Sequence, residues 1–229
     1  MKLYENVAIG NFLYGLGFAV GKRVKGDGFP SIVNLLQQTP DDTLIGDLLI
    51  QAPGILRIFE FKQRDNNDNK EPKRHAKLSE TLKGNSSLIP VSRTVHWFVE
   101  TAPDGEEFFT RIVPYLDAYP RTSDKHDFAA FVNSTADAVV GGAEQLTTED
   151  MSSYLAQLLL LQDAGDVGSG GLVVNMSETG NIQYAELTSI LDLKLTKKTF
   201  LKQHAQIQSE QERDMNIEKD RTKGNVYGR

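Results

Sequence analysis

"LIGDLLIQAPGILRIFEFKQ", Leu44 to Gln63, decides how this chain folds. It is almost wholly apolar, alternates loosely, and has Pro53-Gly54 at its centre. Two apolar, β-prone halves around a turn signal predict an antiparallel hairpin. Yet the stretch also carries Asp47, Glu60 and Lys62. The sequence midpoint of Asp47 and Glu60 falls between Pro53 and Gly54, so a symmetric hairpin sets these two acids opposite each other. Side chains alternate faces along a strand and cross-strand partners share a face, so Lys62 joins them on one side of the sheet. Ile45, Leu49, Leu56 and Ile58 share that side, which does not suggest open solvent. Facing carboxylates repel unless positive charge sits between them. A divalent cation meets that need, and Mg²⁺ commonly takes one or two carboxylates plus water and substrate phosphate. The alternative is a structural set, with Asp47 as the ion-pair partner of a strand's surface charges.

The chain of 229 residues has room for one large domain, or one domain with an appendage. Its 39% hydrophobic and 24% charged residues describe an ordinary globular protein with a sizeable core. No apolar stretch is long enough to span a bilayer, so no membrane association is expected and a cytoplasmic location is. The N-terminal "MKLYENVAIGNFLYGLGFAVGKR" is broken by Glu5, Asn6 and Asn11, and reads as a helix of the folded protein rather than a signal peptide. With no cysteine, thiol chemistry is excluded, and four scattered histidines without metal-ligand spacing argue against a histidine-rich zinc site. The net charge of −6 argues against a wholesale nucleic-acid coat and leaves room for a local basic groove.

Residues 4–24 read as a helix whose glycines imply close packing against a sheet. "SIVNLLQQ" is an expected strand ahead of the hairpin, then come a polar loop, a helix from about Pro72 to Leu82, and the strand "RTVHWFVET". Trp97 and Phe98 on that strand read as core, and His96 and Glu100 as its outer face. Beyond it the pattern turns mainly helical: "EEFFTRIVPYLDAY", "DKHDFAAFVNSTADAVVGG" and "TTEDMSSYLAQLLLLQDAG", the last capped by Thr147 or Thr148. "GLVVNMSETGNIQYAEL" reads as a short hairpin, "TSILDLKLTKKTFLKQHAQIQ" as a helix, and the charged residues after it as a mobile tail.

An acid on one strand and E-x-K on the next, with a helix and strand before and a helix then strand after, resemble the PD-(D/E)xK nuclease superfamily. The resemblance covers roughly residues 4 to 101. It implies an α/β fold: a mixed sheet with an α-β-β-β-α-β restriction-endonuclease-like core over residues 1–105. A mainly helical extension with a short hairpin (residues 106–206) and a charged tail (residues 207–229) complete the expected organisation. It further implies a metal-dependent nuclease, in which Asp47, Glu60 and the backbone carbonyl of Phe61 ligate Mg²⁺ (or Mn²⁺). Lys62 would orient or help deprotonate the attacking water, and Gln63 would touch the nucleic-acid backbone. Members often add an acid from the first helix; Glu5 is the candidate here, against a first-turn acid complementing the helix dipole. Pro40-Asp41 spells a literal PD but reads as a turn, and the variant motif Q-x-x-x-Y is absent from the second helix.

Between Lys62 and Lys83 seven Lys/Arg stand against four Asp/Glu, a basic excess beside the expected site. Lys73, Arg74 and Lys77 are the residues chosen there to track a phosphate backbone, against the alternative of a solvated helix face. The stripe Lys194–Lys202 and the loop "GDVGSGG" read as a solvated face and a linker. DNA is the first expected substrate, with RNA second. A role in bacterial or phage defence or a mobile-element system is one setting, and a protein partner or homodimer through the helical half another expectation. The rival reading is a catalytically inactive nuclease fold that serves as a nucleic-acid or protein-binding subunit of a complex.

Overall fold

The computed structural model describes residues 4–25, 29–35, 46–52, 55–66, 69–104, 107–141, 146–161, 171–176 and 182–187. The Pro53-Gly54 turn, Pro40-Asp41, the "GDVGSGG" loop as far as Gly170, the basic stripe and everything after Leu187 lie outside them. The chain runs α1 (Glu5–Gly21), β1 (Phe29–Leu35), β2 (Leu48–Ala52), β3 (Ile55–Gln63), α2 (Lys70–Lys83), α3 (Leu88–Val95), β4 (His96–Asp104) and β5 (Glu107–Pro114). A single 3₁₀ turn (Tyr115–Asp117) leads to α4 (Phe128–Gly141), α5 (Thr148–Leu161), β6 (Gly171–Met176) and β7 (Ile182–Leu187). The strands form one mixed sheet in the order β5-β4-β3-β2-β1-β6-β7. Among the described strands, only β3 and β4 pair in parallel. Joining parallel neighbours requires a crossover, and α2 with α3 supplies it.

Two apolar layers cover the two faces. On one face α1 and α4 pack Phe12, Leu16, Val132 and Ala136 over Leu48, Ile50, Phe59 and Phe61. On the other, α2, α3 and α5 bury Leu78, Leu82, Val91 and Leu155 over Leu49, Leu56, Ile58 and Phe98. Strands covered on both faces lose the in–out alternation of a one-sided sheet and read as continuous apolar runs. That is the physical reason the hairpin looks like core on every residue of β2.

Three expectations change. "EEFFTRIVPYLDAY" is not a helix: Glu107–Pro114 is β5, antiparallel to β4 at the edge of the sheet, with Phe108 and Phe109 half-buried. The segment after residue 105 therefore contributes β5, β6 and β7 to the same sheet rather than helices alone. His96 and Glu100 are not on an outer face; both are buried, at 1% and 0% exposure. The glycines of α1 are not close-packed: a Cβ at Gly10, Gly17 or Gly21 would meet nothing within 4 Å, and at Gly15 only Val132 at 3.5 Å. Burial of its apolar side, rather than propensity, holds this helix. Thr147 does cap α5, its Oγ1 accepting from the Asp150 N–H at 3.1 Å while the Asp150 carboxylate accepts from Thr147 N–H.

Candidate functional site

The β2–β3 ladder runs from Ala52–Ile55 to Leu48–Phe59 and is centred between residues 53 and 54. One residue further the main chain bends. The Asp47 N–H donates to the Phe59 carbonyl at 3.0 Å, and the Phe61 N–H donates to Asp47 Oδ2 at 2.6 Å. The aspartate side chain thus replaces the carbonyl that a continued ladder would offer, which fixes its position beside Glu60. Gly46 makes the bend possible: its φ of +152° is rare for an L side chain, and a Cβ there would lie 3.0 Å from Ile58 Cγ2.

Asp47 and Glu60 are both buried, at 4% and 2% exposure. Lys62 Nζ lies 2.8 Å from Glu60 Oε1, and Arg74 Nη1 of α2 lies 3.2 Å from Glu60 Oε2. Burial opposes the charge on Lys62, but Glu60 and then Asp47 outweigh it and hold the ammonium above the usual lysine range. Glu5 enters from the other face of the sheet. It sits seven residues before the buried Phe12, two helical turns away on the same side of α1, and its Oε1 accepts the Gln63 N–H at 3.1 Å. Asp47, Glu60 and Lys62 therefore lie together near the end of β3, and Glu5 reaches the same strand end from the other face. Phe61 contributes its N–H to Asp47, while its ring packs on Phe12 at 5.8 Å on the opposite face.

The α2 basic residues divide. Lys73 is exposed. The Lys77 ammonium donates to the Leu161 carbonyl at the end of α5. Arg74 faces inward, bridging Glu60 and, at 3.9 Å, Glu71; its Nη2 is buried without a hydrogen-bond partner. Burial works against the Arg74 charge, yet Glu60 keeps its pKa raised. The 71, 74, 78, 82 spacing of Glu71, Arg74, Leu78 and Leu82 was the available signal, since it places both charges on the helix stripe that buries the leucines.

Glu71 was not expected in the site. It is buried, accepts a hydrogen bond from the Tyr115 hydroxyl, and its carboxyl is pushed up to about 7, by burial first and by Glu60 second. Burial likewise raises the Tyr115 hydroxyl pKa. Next to them on β4, the His96 ring stacks on Tyr115 at 4.2 Å and its Nδ1 meets the Tyr154 hydroxyl at 2.8 Å. Burial holds His96 well below the usual imidazole range, so this histidine is a neutral core residue.

A second charged cluster lies one strand over, where β3–β4 pairing sets Glu100 beside Lys62. Glu100 is ringed by Arg121 Nε at 3.0 Å, Arg64 Nη1 at 3.4 Å and Arg111 Nη1 at 3.8 Å. Arg111 also donates to the Asp117 and Ala118 carbonyls, and Arg121 to those of Arg64 and Asn66.

No family model, curated protein or solved structure matches this chain. Among the described residues, no group of three or more His, Cys, Asp or Glu is close enough to hold a metal ion, and no helix is long and apolar enough to cross a membrane.

Proposed function

We propose that the protein is a metal-dependent phosphodiesterase acting on nucleic acid, DNA first, built on a restriction-endonuclease-like core. The observation that carries the proposal is the junction of β2 and β3: two buried carboxylates from facing strands beside one ammonium, at the end of the strand where α1 also delivers Glu5. The order of α1, the β1–β2–β3 meander, the α2–α3 crossover and parallel β4 supports the same reading.

The donor set fits a hard divalent cation. Asp47 and Glu60 are buried oxygen donors of the kind such a cation takes, one or two carboxylates completed by water and substrate phosphate. Asp47 and Glu60 would hold Mg²⁺ or Mn²⁺, which supplies a more acidic bound water and neutralises phosphate charge. Lys62 places a fixed positive charge where the attacked phosphate gains negative charge. Arg74, 3.2 Å from Glu60 Oε2, orients that carboxylate from the α2 side. Gly46 and the Phe61 N–H hold Asp47 in place, so the constellation rests on main chain rather than on a loose rotamer.

One observation favours a second reading, a nuclease fold kept as a binding subunit. Both Glu60 oxygens already face cations, Lys62 on one side and Arg74 on the other. Cleavage of labelled single- and double-stranded DNA and RNA with Mg²⁺, Mn²⁺ or EDTA, by wild type and Lys62→Ala, separates the two. Metal-dependent cutting abolished in the variant supports the enzyme. Intact substrates throughout, together with no Mn²⁺ binding by calorimetry, leave the binding subunit.

A further inference from the structure

We propose that Tyr115 and Glu71 are positioning residues of the site: together they hold Arg74, which in turn orients the Glu60 carboxylate. This rests on Glu60 serving as a ligand in the proposed chemistry, and it adds two residues that touch neither metal nor substrate. Glu60 has a cation at each oxygen, but the two cations are not equivalent. Lys62 stands two residues along the same strand and ends in a rotatable ammonium on a flexible stem, a point charge that follows its partner. Arg74 approaches from α2 with a planar guanidinium whose hydrogens leave in fixed directions, and its Nη1 donates to Glu60 Oε2 at 3.2 Å. The plane of the carboxylate is therefore set from the α2 side.

An arginine orients its partner only as well as it is itself held, since its side chain is rich in rotamers. Glu71, three residues earlier on the same helix, brings Oε2 to 3.9 Å from the same Nη1. Its other oxygen, Oε1, accepts the hydroxyl hydrogen of Tyr115. One carboxylate thus ties the guanidinium to a phenol anchored elsewhere in the fold. Tyr115 lies in the 3₁₀ turn after β5 and is fully withdrawn from solvent. Its ring stacks on His96 of β4 at 4.2 Å with 7° between the planes. His96 is fixed in turn by Tyr154 of α5, whose hydroxyl stands 2.8 Å from His96 Nδ1 and accepts from Ser92 Oγ at 2.9 Å. Stability alone does not call for a charge at residue 71. Glu71 shares the buried stripe of α2 with Leu78 and Leu82, and apolar residues in place of a buried ion pair are often as stable or more so. What the carboxylate adds is direction, the one that Arg74 follows to Glu60.

Two readouts on the full chain test the proposal. In the metal-free protein with EDTA, nitrogen NMR of the Arg74 side chain reports rotation about its Nε–Cζ bond. Tyr115→Phe, which removes one hydroxyl and no charge, is expected to speed that rotation several-fold. Calorimetric titration with Mn²⁺ alone is expected to show several-fold weaker binding in Tyr115→Phe, and about 10–100-fold weaker binding in Arg74→Gln. The double variant Tyr115→Phe/Glu71→Leu makes both polar partners apolar, so it separates positioning from stability. It is expected to resist urea at least as well as Tyr115→Phe, yet to bind Mn²⁺ no better. Unchanged Arg74 rotation in Tyr115→Phe overturns the proposal whatever the metal does. So does wild-type Mn²⁺ affinity in the double variant, which would reduce the pair to a contribution to stability. Failure of the metal reading looks different: Arg74 rotation quickens as expected, while wild type binds Mn²⁺ no better than Glu60→Ala. That outcome upholds the hold on Arg74 and removes the metal from Glu60.

Discussion

Two buried acids on neighbouring strands, Glu60 and Glu100, meet opposite fates. Each is screened by cations on the same face of the sheet, and each is almost wholly withdrawn from solvent. Around Glu100, Arg111 and Arg121 also donate to main-chain carbonyls of residues 64, 66, 117 and 118, while Arg111 Nη1 and Arg121 Nε are buried without a hydrogen-bond partner among the described residues. That cluster ties the segment after β5 to the end of β3. Around Glu60 the two cations contact carboxylates instead: Lys62 lies on Glu60, and Arg74 on Glu60 and Glu71. A buried ion pair is therefore weak evidence for function by itself; the two clusters differ in what their cations also hold, main chain around Glu100 and a second carboxylate around Glu60.

The comparison breaks most visibly at its scaffold half. Glu100→Ala leaves three guanidiniums without their shared counter-charge, so a loss of about 3–5 kcal/mol is expected in urea unfolding. A loss below about 1 kcal/mol would make the two clusters alike and remove the contrast. Lys62→Ala is the matching cut at the other half. There the expected result is a fall of roughly 10²–10³-fold in metal-dependent cleavage, the scale of losing one transition-state donor. Stability should drop less than in Glu100→Ala, because Arg74 remains on Glu60. Equal loss of stability in both variants would read Lys62 as structure.

Gly46→Ala sharpens the role of the bend that positions Asp47. Strain at a positive φ and the 3.0 Å approach to Ile58 should cost about 1–3 kcal/mol by thermal unfolding. The smallest effect concerns pH. Glu71 holds its proton to about 7 in the folded protein, against an ordinary carboxyl value of 4.5. A folded value above the unfolded one means the folded state binds more protons between the two, so stability falls as pH rises from about 4.5 to 7. Glu71→Gln, which stays neutral, should flatten that decline in EDTA. An unchanged slope would assign the pH dependence to other groups.

How much of this was readable beforehand follows from the range of each interaction. The hairpin and the company of Asp47, Glu60 and Lys62 were legible because alternation and a central turn are local properties of a dozen residues. Glu5 was legible as a candidate through its place in α1, although only the structure sets its carboxylate on the Gln63 N–H. Arg74 was singled out for its charge and given the wrong company; the Glu71–Arg74–Leu78–Leu82 stripe pointed inward but did not say toward what. The helix read into residues 106–119 failed because Phe108, Phe109, Ile112 and Val113 fit a helical stripe as well as a strand, and period alone cannot separate the two in a short run.

By itself, then, the sequence determined which strands pair across the turn and which three charges they carry, since these depend on backbone geometry within one hairpin. Tertiary structure alone decided that α2 turns Arg74 and Glu71 onto Glu60, that β4 draws Glu100 into a ring of arginines, and that β5 to β7 extend the sheet on both sides. Those are contacts between residues far apart in the chain, and only packing two helical layers onto one sheet brings them together.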